Sequence, residues 1–173
     1  MGCEMKCRKC SGQMTKITGD HRYRESGLEF IVLKGVESFC CDCGERLFSI
    51  PRMPELNAKI GEILIQKKSP LAGREIRFLR KNMGLTGKRL SEIMGIDNAT
   101  ISRWEGDAQR PAKTHDHFFR LLYITEKRIP TDKVKRIVEL VFPEINQEPS
   151  DMPDTVLYPT AWTSGDEYCL ADA

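Results

Sequence analysis

The sequence predicts an α+β protein in which a small cysteine-rich β domain comes first and an all-α domain of five helices follows. Six of the seven cysteines fall within the first 50 residues, where β-branched and aromatic residues are dense. Further along, apolar residues recur every three or four positions, which is the spacing of an amphipathic helix. At 173 residues the chain can hold one ordinary domain or two small ones.

Four segments follow from these patterns and from the positions of proline and glycine. The run LEFIVL between Gly27 and Gly35 predicts a strand, because β-branched and aromatic residues suit a half-buried pleated surface. Residues 54–67 place their apolar side chains at helical spacing and predict a linker helix, and Ser69-Pro70 breaks the chain after it. The predicted segments are the β domain at 1–50, the linker helix at 51–69, the helical domain at 70–142 and an acidic, proline-containing tail at 143–173.

The helical domain is predicted from five runs of apolar residues. Thr86 is placed to cap the second helix, Gly95 to end it, and the third begins near residue 97 or 98. The fourth covers roughly 114–127, and the fifth follows Pro130. The residues expected to face inward on the fourth helix are Phe118, Leu121, Leu122 and Thr125.

The net charge of +2 conceals two oppositely charged regions. All 27 lysines and arginines lie in residues 1–136 with 17 acidic residues, so this part carries +10. Residues 137–173 hold eight acidic residues and no basic one, which gives −8. The excess of basic residues in positions 1–136 favours a nucleic-acid partner. The tail has four prolines among its acidic residues, and we expect it to be disordered or only loosely docked.

The chain has the features of an intracellular protein. No run of about 18 apolar residues is present, so no membrane span is expected. Its first twelve residues are polar and cysteine-rich, unlike the apolar centre of a secretory signal. We therefore expect a cytoplasmic protein whose cysteines stay reduced, and clustered cysteines in that setting suggest a metal rather than disulfides.

Two CxxC pairs predict that metal site. Cys7 and Cys10 form the first pair, Cys40 and Cys43 form the second, and 29 residues separate the pairs. Each turn can present two thiolates to one ion, and four thiolates complete the tetrahedron that Zn²⁺ prefers. Because four cysteine ligands leave no open position, we predict one structural Zn²⁺ per chain rather than a catalytic one.

Three cysteines lie outside this ligand set. A register that uses Cys3 or Cys41 stays open as an alternative, and Cys169 is expected to be a free thiol. Buried free cysteines and a redox dithiol are the other interpretations of the two pairs. The glycines that follow the pairs, Gly12 and Gly44, are expected to adopt the positive φ that brings amide groups near the sulfurs.

The segment GKRLSEIMGIDNATISRWEG, residues 87–106, predicts a helix-turn-helix that binds DNA. Gly95 tolerates positive φ at the turn, and Ser91 is small where the two helices cross. The residues expected to fill the space between the helices are Leu90, Met94, Ile96, Ile101 and Trp104. A pair between Arg80 and Glu105 is expected to be structural, fixing the angle between helices.

If the third helix of this domain enters the major groove, its outward N-terminal residues face the base edges. The predicted base-reading residues are Asn98, Ala99, Thr100, Ser102 and Arg103. Asn98 suits adenine and Arg103 suits guanine. Asn98 can also be a helix cap, a role that can coexist with base reading, and the alternative for Arg103 is a solvated surface charge. The residues predicted to contact phosphates, each of which can also be a plain surface charge, are Lys88, Arg89, Arg110 and Lys113.

The two motifs together resemble a known family, the YgiT-type zinc-finger/helix-turn-helix proteins, which include MqsA-like antitoxins. The resemblance is carried by CRKCSG, GLEFIVLKGVESFCCDCGE and GREIRFLRKNMGLTGKRLSEIMGIDNATISRWEG, and covers about residues 1–128. The helical part also resembles the phage-repressor (Xre/Cro) group. In that group the positions that match Asn98, Ala99 and Arg103 contact bases, and those that match Arg80 and Glu105 form a structural ion pair.

The resemblance implies a function in two parts. In MqsA-like proteins the N-terminal zinc domain binds a ribonuclease toxin, while the C-terminal domain dimerises and represses the operon. For this chain it implies an antitoxin and transcriptional repressor that acts as a homodimer on a palindromic operator in double-stranded DNA. The sequence departs from these patterns at three places. Gly87 stands where the phage-repressor group usually has a phosphate-binding glutamine, the first CxxC lacks the frequent proline, and the chain extends beyond the MqsA-like pattern after residue 128.

A second class of function stays open from the sequence. The spare thiols Cys3 and Cys41 would suit a stand-alone regulator that responds to zinc or to oxidants, because spare thiols can exchange with metal ligands. An enzyme is not expected, since there is no Ser/His/Asp set, no carboxylate pair with a plausible pocket and no phosphate-binding loop. DNA binding would associate the protein with the nucleoid.

Overall fold

The computed structural model describes residues 5–141 and 154–159 and divides into two compact units. Of the described residues, the first unit holds 5–24, 29–56 and 154–159, and the second holds 25–28 and 57–141. The expectations for Cys3, Cys169 and most of the tail fall outside the described residues. Within the described part of the chain, no helix combines the length and the apolar character needed to cross a bilayer.

A sheet forms most of the first unit. Its strands in the described residues are β1 (Thr15–Arg22), β2 (Ile31–Cys40), β3 (Arg46–Ser49) and β4 (Thr155–Leu157). β2 pairs antiparallel with β1 and with β3, and its first three residues pair in parallel with β4. Because Val32 and Leu33 pair with β1 on one side and with β4 on the other, β4 occupies the same edge of β2 as β3.

The hairpin of β1 and β2 connects the two cysteine turns. β2 begins later than expected, at Ile31, and continues through Gly35, the residue predicted to end it. Gly35 has a φ of 66°, and the register of the hairpin shifts opposite it, between Gly19 and His21. A glycine in this conformation is typical of a β-bulge, so the strand is kinked there and not ended.

Six helices lie among the described residues of the rest of the chain. They are α1 (Met53–Ile65), α2 (Gly73–Asn82), α3 (Gly87–Met94), α4 (Asn98–Glu105), α5 (Lys113–Glu126) and α6 (Thr131–Val141). α1 lies where the linker helix was predicted, and α2 to α6 correspond to the five predicted helices, so the α+β class is confirmed. Thr86 caps α3 by accepting a hydrogen bond from the amide of Arg89 at 3.0 Å.

The buried face of α5 differs from the predicted one. Phe118, Leu121 and Thr125 are exposed, although their spacing predicted an inward face. The residues that α5 buries are Asp116, Phe119, Arg120, Tyr123 and Ile124. Two of these five are charged, so hydrophobicity alone placed the apolar face on the wrong side of the helix.

Arg120 is fully buried and binds the segment that follows α1. Its Nε donates to Asp116 Oδ2 at 2.7 Å, and Asp116 Oδ1 accepts from the amide of Leu71 at 2.9 Å. Its two terminal nitrogens donate to the carbonyl oxygens of Ile65, Lys67 and Ser69, at 3.0, 2.6 and 2.8 Å. A buried charge is tolerated only when it is paired and hydrogen-bonded, and these partners meet that requirement.

Two glycines let helices of the second unit approach closely. A Cβ on Gly61 of α1 would lie 1.9 Å from the hydroxyl oxygen of Tyr123 on α5. A Cβ on Gly73, the first residue of α2, would lie 2.3 Å from the carbonyl oxygen of Trp104 on α4. Real side chains do not approach that closely, so both contacts require glycine.

Candidate metal centre and nucleic-acid interface

Four thiols lie close together in the first unit. The Sγ atoms of Cys7, Cys10, Cys41 and Cys43 are all within 4.8 Å of one another. Those of Cys10 and Cys41 are 3.4 Å apart, and those of Cys7 and Cys43 are 3.6 Å apart. A tetrahedral ion with metal–sulfur bonds of about 2.3 Å holds its sulfurs about 3.8 Å apart. The four thiols therefore fit one tetrahedral metal ion, and a complete set of four leaves no position for a substrate.

Cys40, which was predicted as a ligand, is not in this cluster, and Cys41 takes its place. Cys40 is the last residue of β2 and pairs with Thr15 on β1 and Arg46 on β3. Because successive side chains of a strand point to opposite faces, Cys41 continues the face of Phe39. A small core lies there, composed of Cys7, Met14 and Cys41, with Phe39 and Leu47 packed against it. The register of the sheet selects Cys41, despite the CxxC spacing of Cys40.

The two cysteine turns share a backbone pattern but differ in length by one residue. The carbonyl of Cys7 accepts from the amide of Ser11 at 2.9 Å, whereas the carbonyl of Cys41 accepts from the amide of Gly44 at 2.9 Å. In each turn the residue after the second cysteine has positive φ, 60° at Ser11 and 88° at Gly44. Gly12 does not adopt the positive φ that was expected of it; a Cβ there would lie 3.3 Å from a sulfur of the cluster.

Backbone amides favour the thiolate of Cys7. The amides of Cys10 and Lys9 donate to its sulfur and lower the pKa of Cys7 to about 7. The amide of Cys43 acts in the same sense on Cys41, but a hydrogen bond with the Cys10 thiol and burial raise the pKa of Cys41 to about 12. A metal ion binds the thiolate form of every ligand, so metal binding at this cluster releases protons.

The second candidate site is the pair α3 and α4. Gly95, which separates them, has a φ of 66° and ends α3 in the left-handed conformation, as predicted. Ser91 is buried, and its hydroxyl donates to the carbonyl of Lys88 at 2.7 Å. Of the residues predicted to fill the space between the helices, Ile96 is half-buried, and the buried ones are Leu90, Met94, Ile101 and Trp104.

Arg80 and Glu105 form the predicted ion pair. Arg80 Nη2 donates to Glu105 Oε2 at 2.9 Å, and Arg80 Nη1 donates to the carbonyl of Leu85 at 2.8 Å. The hydrogen bond with Glu105 raises the pKa of Arg80 above its ordinary value. One guanidinium thus ties α2 to the end of α4 and to the loop before α3, which is a structural role.

The N-terminal part of α4 presents the predicted base-reading residues. Those that are exposed are Asn98, Ala99, Ser102 and Arg103. Thr100 is half-buried, and its amide and hydroxyl donate to Asp97 at 3.0 and 2.7 Å. Asp97 is therefore the cap of α4, and the carboxamide of Asn98 is not used as one. Arg103 Nη2 donates to the hydroxyl of Thr100 at 3.0 Å and lies along the exposed face.

The residues predicted to contact phosphates are all on the surface, namely Lys88, Arg89, Arg110 and Lys113. Lys88 and Arg89 lie on the first turn of α3, beside the start of α4: a Cβ on Gly87 would be 2.9 Å from Asn98 Oδ1. The residue that precedes these two cations thus lies next to Asn98. Because glycine has no side chain, Gly87 leaves room for the side chain of Asn98.

Comparison with known proteins gives one family. Residues 5–129 match the family described as the antitoxin component of a bacterial toxin-antitoxin system, MqsA. The matched span contains the thiol cluster and helices α1 to α5, and it ends before α6. No curated protein matches the chain.

Proposed function

Because the chain belongs to the MqsA antitoxin family, we propose that it is an antitoxin and transcriptional repressor, a cytoplasmic regulator and not an enzyme. In this proposal α3 and α4 form a helix-turn-helix that binds operator DNA as a homodimer, and the first unit holds Zn²⁺ and binds a toxin of the ribonuclease type. The observation that carries it is the exposed N-terminal part of α4, with cations beside it on α3.

The chemistry of that surface supports DNA reading. An α-helix fits the major groove, where carboxamides pair with adenine and guanidinium groups pair with guanine. Asn98 and Arg103 carry these groups on one short helix, and the exposed Lys88 and Arg89 on α3 are proposed to contact the adjoining phosphates. The excess of basic residues in positions 1–136 adds a sequence-independent attraction.

DNase footprinting of the region upstream of the protein's own gene tests the DNA proposal. We expect protection of an inverted repeat whose half-sites lie about 34 Å apart or a multiple of it, the repeat of the double helix. Binding to that site should weaken with rising salt, because counterions released from the phosphates contribute to the affinity. If the protein binds this region no better than random-sequence DNA at equal salt, the proposal of an autorepressor is wrong.

Homodimer formation has a candidate surface on α5. The large apolar side chains that are exposed among the described residues of the second unit are Phe118, Leu121 and Val138. Phe118 and Leu121 lie one turn apart on α5, and Leu122 beside them is half-buried. A two-fold operator requires a second copy of the chain, and a helix face that packs against its own symmetry mate satisfies that requirement.

Leu121→Glu tests this interface. A buried unpaired carboxylate is unfavourable, so the variant should sediment as a monomer and lose most of its affinity for the full operator. Glu126→Lys, a charge change at an exposed position of the same helix, is the control and should remain dimeric. A dimeric Leu121→Glu variant would place the interface elsewhere.

Zinc is proposed as the resident metal because four thiolates in tetrahedral reach form the donor set of structural zinc sites. The core that contains Cys7 and Cys41 is small, so we expect a bound metal to add to the stability of the first unit. If the toxin binds this unit, removal of zinc should abolish the complex.

The toxin proposal is tested with the product of the adjacent gene. That protein, expressed alone, should arrest growth, and co-expression with this chain should restore growth and yield a complex that a zinc chelator dissociates. A neighbour that leaves growth unchanged would argue against an antitoxin.

A zinc- or thiol-responsive regulator is the second candidate, and the position of Cys40 favours it. Cys40 is half-buried, lies outside the cluster and is adjacent to Cys41 in the chain, so it is a spare thiol beside the proposed ligands. Operator affinity measured before and after chelation, and before and after mild oxidation by peroxide, tests this candidate. Unchanged affinity in both experiments excludes it.

A further inference from the structure

We propose that the edge of β2 opposite β1 is a strand-acceptor site, that β4 is its displaceable occupant, and that the site fits an extended segment of a partner protein carrying a carboxylate just before the paired residues. Neither the sequence patterns nor the family match points to this site, because β4 lies beyond residue 129, where the match ends.

The pairing on this edge of β2 is divided between two strands. β3 pairs with Glu37–Cys40, and β4 pairs in parallel with Ile31–Leu33. The edge of a strand presents N–H and C=O groups in a row, which is a template for another strand. When β4 leaves, the first three residues of β2 offer that template. Their backbone N–H and C=O groups can pair with any extended segment, whatever its side chains.

A charged anchor precedes the paired residues. Arg22 donates through Nη1 and Nη2 to the two carboxylate oxygens of Asp154, at 2.9 and 2.7 Å. Arg22 pairs with Val32 in the hairpin, so its guanidinium belongs to the acceptor sheet. A guanidinium and a carboxylate joined by two parallel hydrogen bonds recognise each other by geometry as well as charge. This contact sets the chemistry of a suitable partner.

β4 makes few contacts that would hold it firmly on the sheet. Three residues pair, Val156 is 43% exposed, and Tyr158 is 60% exposed. The anchoring ion pair is itself open to solvent, where such pairs contribute little to stability. β4 is favoured instead because it belongs to the same chain, so a free strand has to match the effective concentration of an intramolecular segment.

A partner strand therefore competes with β4 only if other contacts hold it nearby, which is the situation of a protein that already binds the first unit. Under the proposed function this protein is the toxin. The acceptor site itself does not depend on that identity, and it can be tested without toxin or DNA.

The test uses a fluorescein-labelled peptide with the sequence of residues 152–160 and two full-length proteins. One is wild type, and the other is Asp154→Ala/Thr155→Pro/Val156→Pro, which removes the anchor and places proline, a residue that cannot donate to a β-ladder, at two paired positions of β4. By fluorescence anisotropy the peptide should bind the triple variant at least about tenfold more tightly than wild type, because the tethered strand no longer competes.

Two further changes check the anchor. Arg22→Ala, added to the triple variant, should weaken peptide binding several-fold, and Arg24→Ala, an exposed neighbour, should not. Equal zinc content and equal circular dichroism verify that the sheet is intact.

Equal peptide affinities for wild type and the triple variant, or no effect of Arg22→Ala, would overturn the proposal. Wild type that dimerises while the triple variant stays monomeric would also overturn it, because β4 would then be exchanged between copies. The first two outcomes leave the antitoxin proposal untouched, and the third would move only its dimer interface from α5 to β4.

Discussion

At the scale of single residues, Cys40 and Cys41 are neighbours with different surroundings. Cys41 lies among the clustered sulfurs, and Cys40 ends a paired strand on the opposite face of the sheet. We expect Cys41→Ser to reduce bound zinc below one ion per chain and to lower the melting temperature. Cys40→Ser, the matched control, should keep one zinc ion and melt as wild type does.

Zinc content by elemental analysis and thermal unfolding by circular dichroism measure both effects. The reverse result, in which only Cys40→Ser loses zinc, would mean that the zinc-bound protein uses the CxxC register that the sequence predicts.

Arg120 supplies a prediction about stability. Arg120→Ala removes the donor of Asp116 Oδ2 and of three backbone carbonyls, and leaves the Asp116 carboxylate in the interior without its cation. Removing one partner of a buried pair costs about 3–5 kcal/mol, so the urea midpoint of the second unit should fall steeply. Arg89→Ala, which breaks an exposed pair with Glu92, should leave it almost unchanged. Equal shifts for the two variants would contradict the role given to Arg120.

Cys41 and Arg120 also show what the sequence alone could not predict. The choice between adjacent cysteines depends on the register of β2 against its neighbours, which no local spacing encodes. In the same way, Asp116 and Arg120 are four residues apart on a helix, a spacing normally read as a solvated surface pair. Their burial depends on the carbonyls of a segment about 50 residues earlier, so the sequence alone gives no signal of it.

At the scale of elements, α4 and α3 should respond differently to mutation. Arg103→Ala should reduce discrimination between operator and mutated operator by about 1–3 kcal/mol, because it removes a contact to a base edge. Lys88→Ala should weaken binding to all DNA sequences about equally. It should also reduce the magnitude of the slope of log affinity against log salt concentration by about one. Gel-shift titrations at several salt concentrations distinguish the two effects. If both variants bind like wild type, the reading surface lies elsewhere.

Helices were the most predictable elements. Thr86 predicted the start of α3 and Gly95 its end, and both are observed. They could be predicted because caps and left-handed glycines are local features of the sequence. The buried face of α5 was predicted wrongly, since that face contains an ion pair. β4 was not predicted, because three residues without a distinctive pattern find their partner more than 100 residues away.

At the scale of the whole molecule, charge is distributed unevenly along the chain. Residues 137–173 carry −8, against +10 for the rest. An acidic segment competes with phosphates for the basic surface, so removing it should raise affinity for random-sequence DNA. Deleting residues 160–173 removes three of the eight acidic residues and leaves β4 in place.

The gain should shrink as salt approaches physiological strength, where the Debye length is about 8 Å. A chain with Asp166→Asn, Glu167→Gln and Asp172→Asn is the control that keeps the length and should behave like the deletion. Affinity unchanged by both would mean that the tail has another role.

The hydrogen bonds of Arg120 have a consequence for dividing the protein into fragments. Ser69-Pro70 looks like a natural cutting point, yet the carbonyls just before it satisfy a guanidinium in the interior. A recombinant fragment that begins at Pro70 would contain every residue of α2 to α6 and still lack the acceptors that Arg120 needs. The smallest fragment that keeps these acceptors begins within α1. A stable fragment of the helical part of this protein therefore has to include the end of the helix that precedes it.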